Sequence, residues 1–310
     1  MVKMKIFSRF NVPSNYYNSI ILIGNFDGVH LGHQKLFKKA REYKRKYKCK
    51  IGVVTFDPMP KMFFNKSLKH FKLMNQYQKI HHFKKQNVDF LINQKFSKNF
   101  SNIKAELFIT NYLNKKLNTK FLFVSNNFKF GNKREGDIKL LKYYEKKCNF
   151  KLIIPKPLKK NNKIISSTEI RKLLSIGNLT TANKYLTRNW EIEGMVQKGR
   201  RVGGKIGFAT CNIDIGNYVI AKPGVYSVKV KIDKLKKKRN GIANLGFRPT
   251  FNQNKILLEV NLFNFNRNLY NKKLVVEFIK FIRREKKFKS IKKLTNQIKK
   301  DIRVAKNSLR

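Results

Sequence analysis

Short apolar runs alternate with longer amphipathic stretches through the first half of the chain. Residues 19–24 (SIILIG), 51–56 (IGVVTF), 88–92, 121–125 and 152–154 read as short strands. Between them, 31–47 reads as a helix with a charged outer face, and 105–117 and 138–148 carry helical patterns. Strands alternating with helices predict an α/β domain whose mostly parallel, Rossmann-like sheet is covered on both faces. Ligands of such sheets bind beyond the carboxyl ends of the strands. The texture changes near residues 185–190. Glycines then cluster, and the strand patterns 190–196, 224–232, 256–263 and 274–282 follow with few helices between. This predicts an antiparallel barrel or sandwich, closed by an amphipathic, lysine-rich helix at about 291–307. The expected domains are 1–186 and 187–310. The lysine-asparagine tracts 159–163 and 234–240 read as solvated loops or turns.

A chain of 310 residues with 41% hydrophobic residues suits about two globular domains and excludes wholesale disorder. No run approaches the roughly 18 apolar residues of a membrane span, and the start lacks the apolar core of a signal peptide. The three cysteines, Cys49, Cys148 and Cys211, have neither metal-ligand nor redox spacing. A reducing cytoplasm is the expected compartment. The formal net charge of +54 raises nucleic acid as a partner. The excess is mainly lysine, spread along the whole chain beside heavy use of Asn, Ile and Phe. That pattern fits a biased codon supply filling solvated positions better than a clustered, arginine-bearing footprint.

Two constellations carry chemistry in the first half. Gly24-Asn25-Phe26-Asp27-Gly28-Val29-His30-Leu31-Gly32-His33 follows an expected strand and opens a helix. Backbone N–H groups and the dipole at a helix N-terminus favour an anion. Gly28 and Gly32 allow close approach, and His30 and His33 can donate to phosphate oxygens. The alternative, half a zinc site, has no obvious further ligands nearby. The second is Ile165-Ser166-Ser167-Thr168-Glu169-Ile170-Arg171. Its hydroxyls can cap a helix. With Arg171 one turn beyond Thr168, the group can also grip a triphosphate.

At these motifs the chain resembles the nucleotidylyltransferase superfamily, and more closely the prokaryotic bifunctional riboflavin kinase/FAD synthetase family. GNFDGVHLGHQ (24–34), TFDPMP (55–60) and NFKFGNKREGD (127–137) support the first module. GFATCN (207–212), PGVY (223–226), GIANLGFRPTF (241–251), LLEVNLF (257–263) and IRREKKF (282–288) support the second. The resemblance implies an N-terminal FMN adenylyltransferase and a β-barrel riboflavin kinase, with ATP as co-substrate and Mg²⁺ as cofactor.

In the first module it implies an ATP site of Gly24, Asn25, Asp27, Gly28, His30, Gly32, His33, Ser166, Ser167, Thr168 and Arg171. His30, His33 and Arg171 are the catalytic members, and Asn127 and Phe128 lie toward flavin. In the second it implies Glu259 as general base, Thr210 and Asn212 as metal ligands, and Gly203, Gly207 and Thr210 around ATP. Arg283 is the implied flavin-loop arginine, against the alternative of a solvated basic face. The expected partners are riboflavin, FMN, FAD, ATP and pyrophosphate, with no specific nucleic acid and no membrane; no oligomeric state is assigned. The chain departs from the family pattern at Met59, Gly204, Ala209, Cys211 and Asn271. Two rival readings are a nucleotidylyltransferase for another phosphate substrate and a non-enzymatic nucleic-acid-binding barrel.

Overall fold

A computed structural model describes residues 4–160, 162–198, 207–233, 235, 237–250 and 253–310. It divides into two compact units. One comprises Met1–Lys69 with Gln76–Ser166, and the other His70–Asn75 with Ser167–Arg310.

The first unit is built on strands β1 (Lys5–Phe7), β2 (Ile20–Ile23), β3 (Ile51–Asp57), β4 (Phe90–Lys95), β5 (Phe121–Phe123) and β6 (Lys151–Ile153). They form one sheet in the order β1-β4-β3-β2-β5-β6, with every neighbouring pair parallel. The all-apolar β2 is buried throughout, as a central strand covered on both faces must be. β2 lies between β3 and β5; the chain steps from β2 through β3 to β4 on one side and then crosses to β5 on the other. The crevice at such a switch point opens beyond its carboxyl end, where the chain continues into Gly24 and helix α1 (Leu31–Tyr47). The expected helix at 105–117 begins as an α-turn at Ala105–Leu107 and continues with wider π winding over Phe108–Lys116, keeping Phe108, Ile109 and Leu113 buried. The tract 159–163, expected as loop or turn, is a small hairpin. β7 (Lys159–Lys160) pairs antiparallel with β8 (Lys163–Ile164), and Asn162 takes up the reversal at φ 57°.

In the second unit β9 (Glu191–Gln197), β10 (Cys211–Asp214), β11 (Gly224–Ile232), β12 (Arg239–Thr250), β13 (Gln253–Leu262) and β14 (Lys273–Arg283) close into a barrel in the order β10-β13-β12-β11-β14-β9. The pairing of β9 with β10 completes the ring. Barrel, rather than sandwich, is the outcome. Two register shifts where β11 meets β14 help it curve. Tyr226, Val228, Val230, Leu245, Leu258, Val260, Val276 and Phe278 are buried in this unit. Helices Ser167–Ser175 and Leu179–Leu186 belong to the same unit. Asn183 of the latter donates to the Phe278 carbonyl and accepts from the Trp190 N–H. The closing helix, Ile291–Ser308, is capped by Ser290. It packs Ala305 against Val225 and Ile242.

Candidate active sites

The loop between β2 and α1 is tightly wound. Phe26, Gly28 and Val29 all have left-handed backbones, at φ 46°, 84° and 37°. Two of these are bulky side chains held in a conformation that costs about 1–3 kcal/mol each, a hallmark of functional loops. Val29 N–H closes the turn onto the Phe26 carbonyl, and the Gln34 side chain donates to the Val29 carbonyl at 3.0 Å. His30 occupies the N-cap of α1 without a side-chain capping bond. His33 is one turn in, and the two imidazoles stack with centroids 3.7 Å apart. His30 and Asp27 are buried, Asn25 is exposed, and Phe26 meets His33 edge-on at 5.2 Å.

Gly32 is demanded by this packing. A Cβ there would lie 3.1 Å from both the His30 ring and the Ile165 carbonyl oxygen. The first turn of α1 holds no acidic residue, so nothing there opposes an anion at the dipole's positive end. His33 Nδ1 is buried without a hydrogen-bond partner among the described residues. Burial, then the neighbouring His30 and the Lys79 ammonium, hold this imidazole well below its ordinary pKa. It is therefore neutral at pH 7. Lys79 itself is only 5% exposed, on helix Gln76–Lys85. The sequence reading passed over it among so many lysines.

Ser166 precedes helix Ser167–Ser175, and Thr168 is exposed on its first turn. Arg171, half-buried, donates from Nε to the Phe71 carbonyl at 2.8 Å and lays its guanidinium 3.7 Å from the Phe71 ring centroid. Asn127 is exposed and bonded to Ser125; Phe128 is half-buried and stacked on Phe130.

In the barrel, strand register brings three polar side chains abreast. Glu259 on β13 is directly opposite Asn212 on β10 and Asn244 on β12. Residues opposite one another in antiparallel strands share a face. Asn212 is buried, and its Oδ1 accepts no hydrogen bond among the described residues. Thr210, two residues earlier, is exposed. Burial pushes the Cys211 thiol up to about 11, so no thiolate competes beside these oxygen donors. An unsatisfied buried amide oxygen suits a hard cation such as Mg²⁺.

Asn244 donates to Glu285 Oε1 at 3.0 Å, and the Glu285 carboxylate covers Gly246 so closely that a Cβ there would collide with it. Asn244 was missed by sequence reasoning, although a polar residue inside GIANLGF is the same signal that exposed Glu259. Gly207 is exposed at φ 82°. Gly203 and its neighbour Gly204 lie outside the described residues. Arg283 is not on a solvated face. Its guanidinium makes a bidentate, largely buried pair with Asp301 of the closing helix, and Gln297 donates to the same carboxylate.

A family model described as FAD synthetase matches residues 12–169, and one described as riboflavin kinase matches residues 186–309. A bifunctional riboflavin kinase/FMN adenylyltransferase of Buchnera aphidicola subsp. Schizaphis graminum is 42% identical over 292 residues, 93% of each chain. Its namesake in Escherichia coli K12 is 34% identical over 282 residues, covering 91% of this chain and 90% of the relative. A crystal structure from Streptococcus pneumoniae, named as that of a macrolide-efflux protein, matches 99% of each chain with a TM-score of 0.86 and 29% identity. Among the described residues no helix is long and apolar enough to cross a membrane.

Proposed function

The chain belongs to the bifunctional riboflavin kinase/FMN adenylyltransferase family and converts riboflavin to FMN and FMN to FAD, and we propose that it does so through two separate residue sets. The kinase set is Glu259, Asn212, Thr210, Gly203 and Gly207, with Arg283 bordering the flavin. The adenylyltransferase set is Gly24, Asn25, Asp27, Gly28, His30, Gly32, His33, Ser166, Ser167, Thr168 and Arg171, with Asn127 and Phe128 toward the flavin. The functional boundary falls between residues 186 and 187. The reactions take place in the cytoplasm, without a dedicated nucleic-acid partner.

In the kinase step the riboflavin 5′-hydroxyl oxygen attacks the γ-phosphorus of ATP. The new P–O bond forms as the β–γ bridging bond breaks, and ADP leaves. Glu259 takes the hydroxyl proton, because neither Thr210 nor Asn212 is basic enough to do so. Asn212 Oδ1 and the Thr210 hydroxyl would hold Mg²⁺, which supplies charge neutralisation on the ATP phosphates when bound.

In the adenylyl step an oxygen of the FMN phosphate attacks the α-phosphorus of ATP, and pyrophosphate departs. The nucleophile is already an anion, so no protein base is required. Catalysis is orientation plus neutralisation of developing charge. His30 and His33 donate toward the departing pyrophosphate, and Arg171 with the hydroxyls of Ser166, Ser167 and Thr168 grips the remaining phosphate oxygens.

The observation that carries this reading is the register that sets Glu259 opposite Asn212, within a barrel whose chain also bears the stacked His30–His33 pair. The test is to incubate the purified chain with riboflavin, ATP and Mg²⁺ and separate the flavins by chromatography. FMN should appear first and FAD follow; absence of either product with active substrates contradicts the reading.

A further inference from the structure

His70–Asn75 belongs to the barrel-containing unit although the flanking sequence does not. This strap is anchored mainly through its backbone. The Phe71 and Lys72 N–H groups both donate to the Asn217 carbonyl, and Val219 N–H donates to the Lys72 carbonyl at 2.8 Å. Trp190 Nε1 donates to the Leu73 carbonyl at 3.0 Å. Leu73 and Met74 are each 2% exposed. A six-residue segment fixed so firmly presents Phe71 as a rigid platform, and Arg171 lies on that platform.

We propose that Phe71 is a positioning residue for FAD formation, holding the Arg171 guanidinium in the orientation in which it grips the ATP phosphates. The proposal rests on the reading of Arg171 as a phosphate-binding residue. Two contacts define the orientation. The 3.7 Å approach to the ring centroid sets the guanidinium over the face of the ring, and the Nε–H bond to the Phe71 carbonyl fixes its direction. The terminal amino groups of a guanidinium are the ones that pair with phosphate oxygens in a bidentate grip.

An arginine on a long flexible stem loses conformational freedom when it clasps an anion. Immobilising it beforehand reduces that loss and so strengthens binding and orientation. The strap is seated by Trp190 and residues 217–219, which all follow residue 186. The barrel half of the chain therefore supports a residue of the adenylyltransferase set.

The test uses the full chain. Phe71→Leu keeps an apolar side chain but removes the aromatic face; Phe71→Tyr keeps the face. FAD formation from FMN, FMN formation from riboflavin, and the thermal midpoint are measured for each, with Arg171→Ala and the double variant beside them. Phe71→Leu should lower kcat/KM for ATP in FAD formation by about 2–30-fold, the range expected for a lost cation–π contact. It should leave FMN formation at the parent rate, and Phe71→Tyr should restore FAD formation. In the Arg171→Ala background, Phe71→Leu should add no further loss, because both act through one group.

Parent-like FAD kinetics in Phe71→Leu, or a loss that is additive with Arg171→Ala, overturns the proposal. An equal fall in both activities that follows the thermal midpoint also overturns it, since that is the mark of a structural role alone. If Arg171→Ala itself leaves FAD formation intact, the reading of Arg171 fails instead.

Discussion

The charge state of one imidazole in the proposed adenylyl site, that of His33, is set by its surroundings. Burial, His30 and Lys79 together disfavour protonated His33. In the unfolded chain this residue takes up its proton near pH 6.5; in the folded chain it does so only well below that. Between those two values the unfolded state binds the extra proton, so stability falls as the pH is lowered through that window and is regained above it. Bound phosphate reverses the local sign, because a nearby anion favours the protonated ring. An NMR titration should therefore give His33 a midpoint well below 6.5 in the ligand-free chain and a higher one with ATP present. A free-chain midpoint at or above 6.5 contradicts the described burial. His30 and His33 stand out in the sequence by their place at the start of an expected helix, and Glu259 as a lone carboxylate in an apolar strand. Lys79, Phe71 and Asp301 do not. They reach His33, Arg171 and Arg283 from 46, 100 and 18 residues away, and a local pattern carries no record of such approaches.

At the scale of elements, the strands and helices that could be read were those with one dominant periodicity. The buried β2 and β3, helix Leu31–Tyr47 and the closing helix fall within a residue or so of expectation. β1, β10 and β12 were not anticipated; β12 begins inside the tract 234–240 expected as loop or turn, its start RNG is polar and without a strand period, and pairing with β11 and β13 decides it. The loop from Gly24 to His30 was recognised by its residues, while its left-handed turn at Phe26 and Val29 emerges only from the fold.

Gly32 tests how tightly that element is specified. Alanine is the better helix former by about 1 kcal/mol, but a Cβ at Gly32 also meets the Ile165 carbonyl oxygen at 3.1 Å, so Gly32→Ala should melt no higher than the parent. The same Cβ crowds the His30 ring at 3.1 Å and must shift it by a few tenths of an ångström. FAD formation should then fall about tenfold, somewhat less than the roughly 10²-fold attached to a 1 Å misplacement. FMN formation should hold. Unchanged FAD kinetics would mean that His30 tolerates the displacement and does not act through its position.

For the whole molecule, the net charge of +54 comes from lysines and arginines spread along the chain and acts as a long-range field. Weak, sequence-independent DNA binding at low salt is the expected consequence, falling by orders of magnitude between about 50 and 200 mM salt as counterion release weakens. Tight, sequence-selective binding that survives at physiological salt would contradict that view. The change from alternating strand and helix to successive strands was legible near residues 185–190, where the periodicity alters. The grouping of Ser167–Leu186 and of the strap His70–Asn75 with the barrel-containing unit was not, because membership of a distant unit leaves no periodic signal.

Two residue sets on one chain, each responsible for one step, should be separable by a single product analysis. His33→Ala and Glu259→Gln are incubated with ATP and Mg²⁺, once with riboflavin and once with FMN, and the flavins are separated by chromatography. His33→Ala should turn riboflavin into FMN at the parent rate and stop there, with FAD formation lowered about 10²–10³-fold. Glu259→Gln should make FMN from riboflavin about 10²–10⁴-fold more slowly, yet convert supplied FMN to FAD as the parent does. Loss of both steps in either folded variant, or parent-rate FMN formation by Glu259→Gln, would contradict the account.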